Sequence, residues 1–156
     1  MNAGIARLRV EVAADREALK RQYERIEERD PSAGQDDAEV LALSLHFAFG
    51  AVEAILERTR SAFEGALPPA HDSHRSLVDG AALAIPAVRP AIIGKDTALL
   101  LHELRGFRHF LRHGYGAVID PRRVADIQAI AIGLRPLLGR DFDALDALLE
   151  AIAAAD

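Results

Sequence analysis

The apolar residues at the start of the chain recur at Ile5, Leu8, Val12, Leu19, Tyr23 and Ile26. Steps of three, four and seven put all six on one narrow stripe of a 3.6-residue helix, a spacing that a period-two strand cannot produce. The pattern predicts a helix from Asn2 to Arg29. Composition extends that reading to the rest of the chain. Of 156 residues, 30 are Ala and 20 are Leu, both strong helix formers, and only 5% are aromatic. A sandwich or barrel would need many short strands rich in Val, Thr and aromatics. With half of the residues hydrophobic there is ample apolar surface to offset chain entropy, so disorder is excluded. The expectation is one all-α domain over residues 1–156.

Breakers and caps divide it further. Asp30-Pro31-Ser32-Ala33-Gly34 interrupts the first helix. Asp36 or Asp37 is the expected cap of a second helix reaching Ala66, apolar around Leu41, Leu45, Phe49, Val52 and Leu56 and stopped by Pro68-Pro69. Ser73 is read as capping a short helix through Leu83, before Pro86 and Pro90. A helix from Thr97 to His113 follows, closed by Gly114 and Gly116. Asp120-Pro121 is the strongest start signal, a capping carboxylate with proline at the first helical position. Pro136 is expected to begin a separate last helix, through Leu138, Leu145 and Leu149 to Ile152. Four or five helices with short connections read as an antiparallel bundle.

Several chemistries are excluded. Without cysteine there is no disulfide framework, thiolate metal site or cysteine nucleophile, and the usage fits a reducing cytoplasm. The first 29 residues are polar and charged, unlike a secretory signal, and no run reaches the ~18 uninterrupted apolar residues of a membrane helix. Gly-rich phosphate loops and a serine-nucleophile elbow are absent. A net charge of −5 gives no global field for nucleic acid, so an anionic partner needs a local basic patch. With 17 Arg against 2 Lys, a single arginine says little about recognition, and only clusters carry weight.

One cluster stands out. His102, Arg105, Arg108, His109, Arg112 and His113 fall in twelve residues, and at ~100° per residue they occupy one arc of roughly 140°. Leu100, Leu104, Phe107, Phe110 and Leu111 fill a separate arc. Like charges one turn apart cost a few tenths of a kcal/mol per pair, and Glu103 is the only acidic residue in the run. A solvated Arg-rich face accounts for part of this pattern; the histidines favour a face built for an anion. His109 and His113 have the i,i+4 spacing of a zinc pair, but the residue beside the first is Phe110, where zinc proteases carry Glu, and the nearby arginines repel a cation. No metal and no other cofactor is therefore expected.

The run Arg108-His109-Phe110-Leu111-Arg112-His113-Gly114-Tyr115 resembles the signature of the HEPN superfamily, in particular its HepT-like ribonuclease toxins: an Arg, a polar residue, three variable residues, a His, one residue, then Tyr. Arg108, His113 and Tyr115 take the three fixed positions, and His109 stands where Asn is common. The stretch from Leu104 to Pro121 is similar to the same branch. The resemblance implies a helical bundle acting as a homodimer, a metal-independent endoribonuclease with Arg and His of both subunits at one cleft. It implies Arg108 and His113 as the catalytic pair, with Arg105, His109 and Arg112 holding the RNA backbone. Tyr115 would be the residue to which a partner MNT-type nucleotidyltransferase antitoxin adds AMP; as a plain structural residue it anchors the Gly114–Gly116 turn. A different class of reading is a catalytically silent helical subunit of the same fold that binds such a nucleotidyltransferase, and a third is a plain oligomerisation domain.

The chemistry is consistent with the residue types. Cleaving RNA without a metal requires proton transfers at the 2′- and 5′-oxygens, suited to histidine near neutral pH. It also requires stabilising a doubly charged phosphorane, suited to arginine. Arg108 and His113 are five residues apart, hence ~140° apart on the helix, so one chain cannot easily aim both at one phosphate. Elsewhere, His71 and His74 read as solvent-facing in a loop with Asp72, and His46 as a satisfied buried histidine. Asp141, Asp143 and Asp146 read as a helix start and its exposed face.

Overall fold

The computed structural model describes residues 2–66, 73–113 and 118–155, and the side chains of these outside 108–113. Among the described residues the chain is helical without strands: α1 (Ala3–Glu28), a 3-10 turn (Pro31–Ala33), α2 (Gln35–Glu64), α3 (Ser73–Ala81), α4 (Lys95–His113) and α5 (Pro121–Ala155). All six apolar residues of the first stripe are buried in α1. Asn2 caps that helix, its side-chain oxygen accepting from the Gly4 N–H at 3.0 Å. Asp30 does the same for Ser32 in the turn that follows, at 2.9 Å.

Hydrogen bonds between elements set the topology. Gln128, near the start of α5, donates to the Ile26 and Arg29 carbonyls at the end of α1, at 2.7 and 2.8 Å. The short 3-10 turn leaves the start of α2 at that same end, and α4 finishes there because α5 follows it. Farther along, Arg16 at the middle of α1 pairs with Asp143 and Asp146 of α5, and Arg58 toward the end of α2 pairs with Asp15 and Glu11 of α1. The long helices therefore run α1 up, α2 down, α4 up and α5 down, with α3 a short strut on α2 and α4. One contiguous core draws on all of them, including Ile26, Leu41, Ile55, Leu101, Leu134 and Leu149. Tyr23 reaches across it, its hydroxyl donating to the Ala131 carbonyl at 2.8 Å, and burial pushes that hydroxyl above its ordinary pKa.

Four boundaries differ from the sequence expectation. The cap position of α2 is Gly34, without a side-chain cap, and Asp36 and Asp37 lie in the first turn, where their charge favours the helix dipole. The short helix ends at Ala81 and α4 begins at Lys95, two residues early. Pro136 starts nothing: it sits inside an unbroken α5. An interior proline costs about 3 kcal/mol. Burial of Leu134, Leu138 and Phe142 across it, at about 1.5–3 kcal/mol per side chain, outweighs that cost. α2 is long and apolar enough to cross a membrane, yet 56% of its most apolar window is buried inside the bundle, as in a core helix.

The α3–α4 connection is tied down by one arginine. Arg89 is 5% exposed; its Nε donates to Glu64 at 2.7 Å, Nη1 to the Leu83 and Pro90 carbonyls, and Nη2 to Gly80 and Glu64. All of its donor nitrogens are used, inside a tight turn from Ile85 to Arg89 that places Ala87 at φ 63°. Glu64 lies at the end of α2, where Gly65 takes the φ of 76° that closes the helix. Desolvation alone would raise the Glu64 carboxyl, but the hydrogen bonds and charges of Arg89 and Arg60 together outweigh it and hold the pKa below the ordinary 4.5. A depressed carboxylate contributes stability that is present above its unfolded pKa and lost as pH falls through the folded one. Urea unfolding of Glu64→Gln should therefore show a less stable protein at pH 7 and a shallower loss than wild type below about pH 4.5. Parallel acid limbs for the two proteins would contradict this assignment.

Candidate functional site

The site rests on α4, and α4 is anchored at its start by α5. Asp141 is buried within α5, and one carboxylate oxygen accepts from the Gly94 N–H at 2.9 Å and from the Thr97 hydroxyl at 2.6 Å. Those are groups of the first turn of α4, whose amides have no partner within the helix. Arg140 donates to the other Asp141 oxygen and to both oxygens of Asp96. Its hydrogen bond, with that of the Thr97 N–H, holds the Asp96 carboxyl below its ordinary range. Asp141 is thus a buried tertiary cap, not part of a helix start, while Asp143 and Asp146 serve Arg16. Spacing along the chain gave no sign of it, because the capped turn lies 44 residues from its cap.

Side chains then fix which face of α4 meets the core. Thr97, Ala98, Leu101, Leu104 and Phe107 are buried, and Leu100 is partly buried against the same core. The two separate arcs read from the sequence overlap here. Ala98 and Leu101 fall within the angular range of the cationic arc, and both are buried. By helical register Arg108 lies four residues after Leu104 and seven after Leu101, so its position continues the core-facing side at the end of the helix. His102, Arg105 and the backbone positions of His109, Arg112 and His113 lie to one side of that line.

Two of the predicted residues have described side chains. His102 is held by α3: its Nε2 lies 2.7 Å from an Asp79 carboxylate oxygen, and Asp79 also faces Arg75. This histidine serves as a tie between helices, which corrects its place on an open anion face. Arg105 is half-buried. The side chains of Arg108, His109, Arg112 and His113, and the whole of Tyr115, lie outside the described residues; the backbone of α4 is helical through His113.

The other histidines also find places. His74 is on α3, not in a solvent-facing loop, and its Nδ1 meets the buried carboxylate of Glu53 on α2. With Asp79–His102 this fastens α3 to α2 at one point and to α4 at another. His46 is half-buried on α2, its ring tilted against Phe47 at 5.8 Å. His71 and Asp72 lie outside the described residues. Among the described residues no group of three or more His, Asp or Glu is placed to hold a metal ion. A hollow of about 140 Å³, lined among others by Phe63, Pro90, Ile92 and Leu145, is mainly apolar and lies by the Arg89 turn, at the opposite end of the bundle from the end of α4.

A family model described as HepT-like protein matches residues 40–149. The chain belongs to the HepT-like family, a branch of the HEPN superfamily. The match begins in α2 and ends in α5, so it takes in all of α4 with the Arg108–Tyr115 run and leaves α1 outside. No curated protein and no solved structure matches this HepT-like chain. The tie at the start of α4 is open to test. Asp141→Ala strands the Gly94 amide and the buried Thr97 hydroxyl and should cost roughly 1–3 kcal/mol in urea unfolding, with Asp141→Asn recovering part of it. An Asp141→Ala protein as stable as wild type would remove this anchor from the account.

Proposed function

We propose that this HepT-like chain is a metal-independent endoribonuclease of the cytoplasm, the toxin of a toxin–antitoxin pair, whose active site is completed by a second copy of the chain. The observation that carries the reading is the conjunction of family membership with a helix that keeps Arg108 and His113 in register to its last residue. In this mechanism His113 moves protons. One imidazole takes the proton of the 2′-hydroxyl, the 2′-oxygen attacks the adjacent phosphorus, and the bond to the 5′-oxygen breaks as that oxygen is protonated. The products are a cyclic phosphate and a 5′-hydroxyl. Arg108 donates to the phosphorane oxygens, where a permanent planar cation is worth most as charge develops. Arg105, Arg112 and His109 hold neighbouring phosphates.

Regulation follows from the same placement. AMP added to Tyr115 by a nucleotidyltransferase antitoxin would put a bulky anion two residues from His113, filling the cleft and neutralising its charge. The test is cleavage of single-stranded RNA in EDTA by wild type, Arg108→Ala and His113→Ala. Wild type should cleave, and each variant should lose about 10²–10⁴-fold in kcat with its thermal midpoint unchanged. In cells wild type should arrest growth and either variant should relieve the arrest at equal protein level. Variants as active as wild type would overturn the assignment, and activity lost on chelation would restore the metal reading.

A further inference from the structure

Asp141 marks the side of α5 that faces α4, because its carboxylate accepts from Gly94 and Thr97 at the start of that helix. Eighteen residues make five full turns, so Arg123 stands on the same line of α5 as Asp141, ~27 Å nearer the start of the helix. The two helices are antiparallel and in contact, and their register holds along the seam. Leu104 is seven residues after Thr97, Leu134 is seven before Asp141, and the two line one small hollow. From Thr97 to His113, the last residue of α4, is ~24 Å. Arg123 is therefore on the α4-facing side of α5, ~3 Å past the level of His113.

A cation is locally unfavourable there. α5 opens Pro121-Arg122-Arg123 with no acid in its first turn, at the end of the helix dipole that disfavours positive charge. Asp120 is engaged as the cap, accepting from the Arg122 N–H. Asp126, the next acid on α5, lies almost a turn further in and ~60° off the α4-facing line. Both arginines are exposed, but they point differently. Arg122, ~100° round the helix from Arg123, lies on the far side from buried Val124 and Ile127, and its side chain is 94% exposed. Arg123 is beside the end of the segment that carries Arg105, Arg108, Arg112 and His113. A phosphate held there meets a planar cation and the positive end of a helix together, which makes the position favourable once an anion is bound.

We propose that Arg123 binds a backbone phosphate of the RNA flanking the one that is cleaved, and so extends the site from α4 onto α5. The assignment takes its ligand from the endoribonuclease reading, and measuring binding apart from cleavage separates the two. The probe is a labelled single-stranded 2′-O-methyl oligoribonucleotide, which carries the phosphates of RNA without a free 2′-hydroxyl. Its Kd for wild type, Arg123→Ala, Arg123→Lys and Arg122→Ala is measured by fluorescence anisotropy across a salt series. Arg123→Ala should bind about tenfold more weakly at low salt, the loss of one charged hydrogen bond, and its slope of log Kd against log salt should fall by about 0.7. Arg123→Lys should keep the slope, and Arg122→Ala should match wild type although it removes the same charge. The thermal midpoint of Arg123→Ala should equal or exceed that of wild type, since a cation has left the helix start. A lowered midpoint with an unchanged slope makes Arg123 a structural residue and overturns the proposal. So does an equal loss in Arg122→Ala, which shows general charge attraction only. If Arg123→Ala binds as wild type does while wild type cleaves RNA, the subsite is wrong and the endoribonuclease reading survives. If wild type binds the probe through Arg123 but cleaves no RNA, the subsite stands and the cleavage reading fails. A wild type that neither binds the probe nor cleaves RNA overturns both.

Discussion

The rotation of α4 about its own axis is the constraint on which the cationic segment depends. A helix turns ~100° per residue, so once Ala98, Leu101, Leu104 and Phe107 are buried, every later position on α4 has an assigned direction. The Asp141 cap fixes where that helix begins, and the Asp79–His102 pair holds its flank against α3. Packing of this kind is stiff, because interiors near crystal density tolerate little rotation of one element against its neighbours. A chemistry that needs an arginine and a histidine at fixed angles gains from a helix held at three places.

The same constraint explains why one chain is not enough in this account. By helical register the Arg108 position continues the line of Leu101 and Leu104, and the His113 position lies ~140° from that of Arg108. A gap of ~140° between two positions of one helix is not easily closed within one chain. In the proposed two-copy arrangement, two-fold symmetry would close it at no cost in new sequence, since each copy would offer the same two groups to the other.

Much of the fold was legible from periodicity alone. The six positions of the first stripe are all buried, and Asp120-Pro121 opens α5 with Asp120 accepting from the Arg122 N–H at 3.0 Å. The family was legible from the Arg108–Tyr115 run. What the sequence hid are the contacts between elements. Nothing in the spacing of His74, His102 or Asp141 points to Glu53, Asp79 or Thr97, because those partners are neighbours only after folding. Proline rules misled at Pro136 because they are local, and the burial that carries α5 through it is not. The overlap of Ala98 and Leu101 with the cationic arc was hidden for a related reason: polar and apolar positions were sorted by residue type before the neighbours of the helix were known.

Subunit complementation tests the central claim most directly. Arg108→Ala and His113→Ala chains, each inactive alone, are mixed under conditions that exchange subunits, and RNA cleavage is measured. If the two groups at one phosphate come from different copies, half of the dimers are mixed and each keeps one of its two cross-subunit Arg–His pairs, so up to roughly a quarter of wild-type activity should return. A mixture as inactive as its components, with exchange verified, would show that Arg108 and His113 are not paired across two chains.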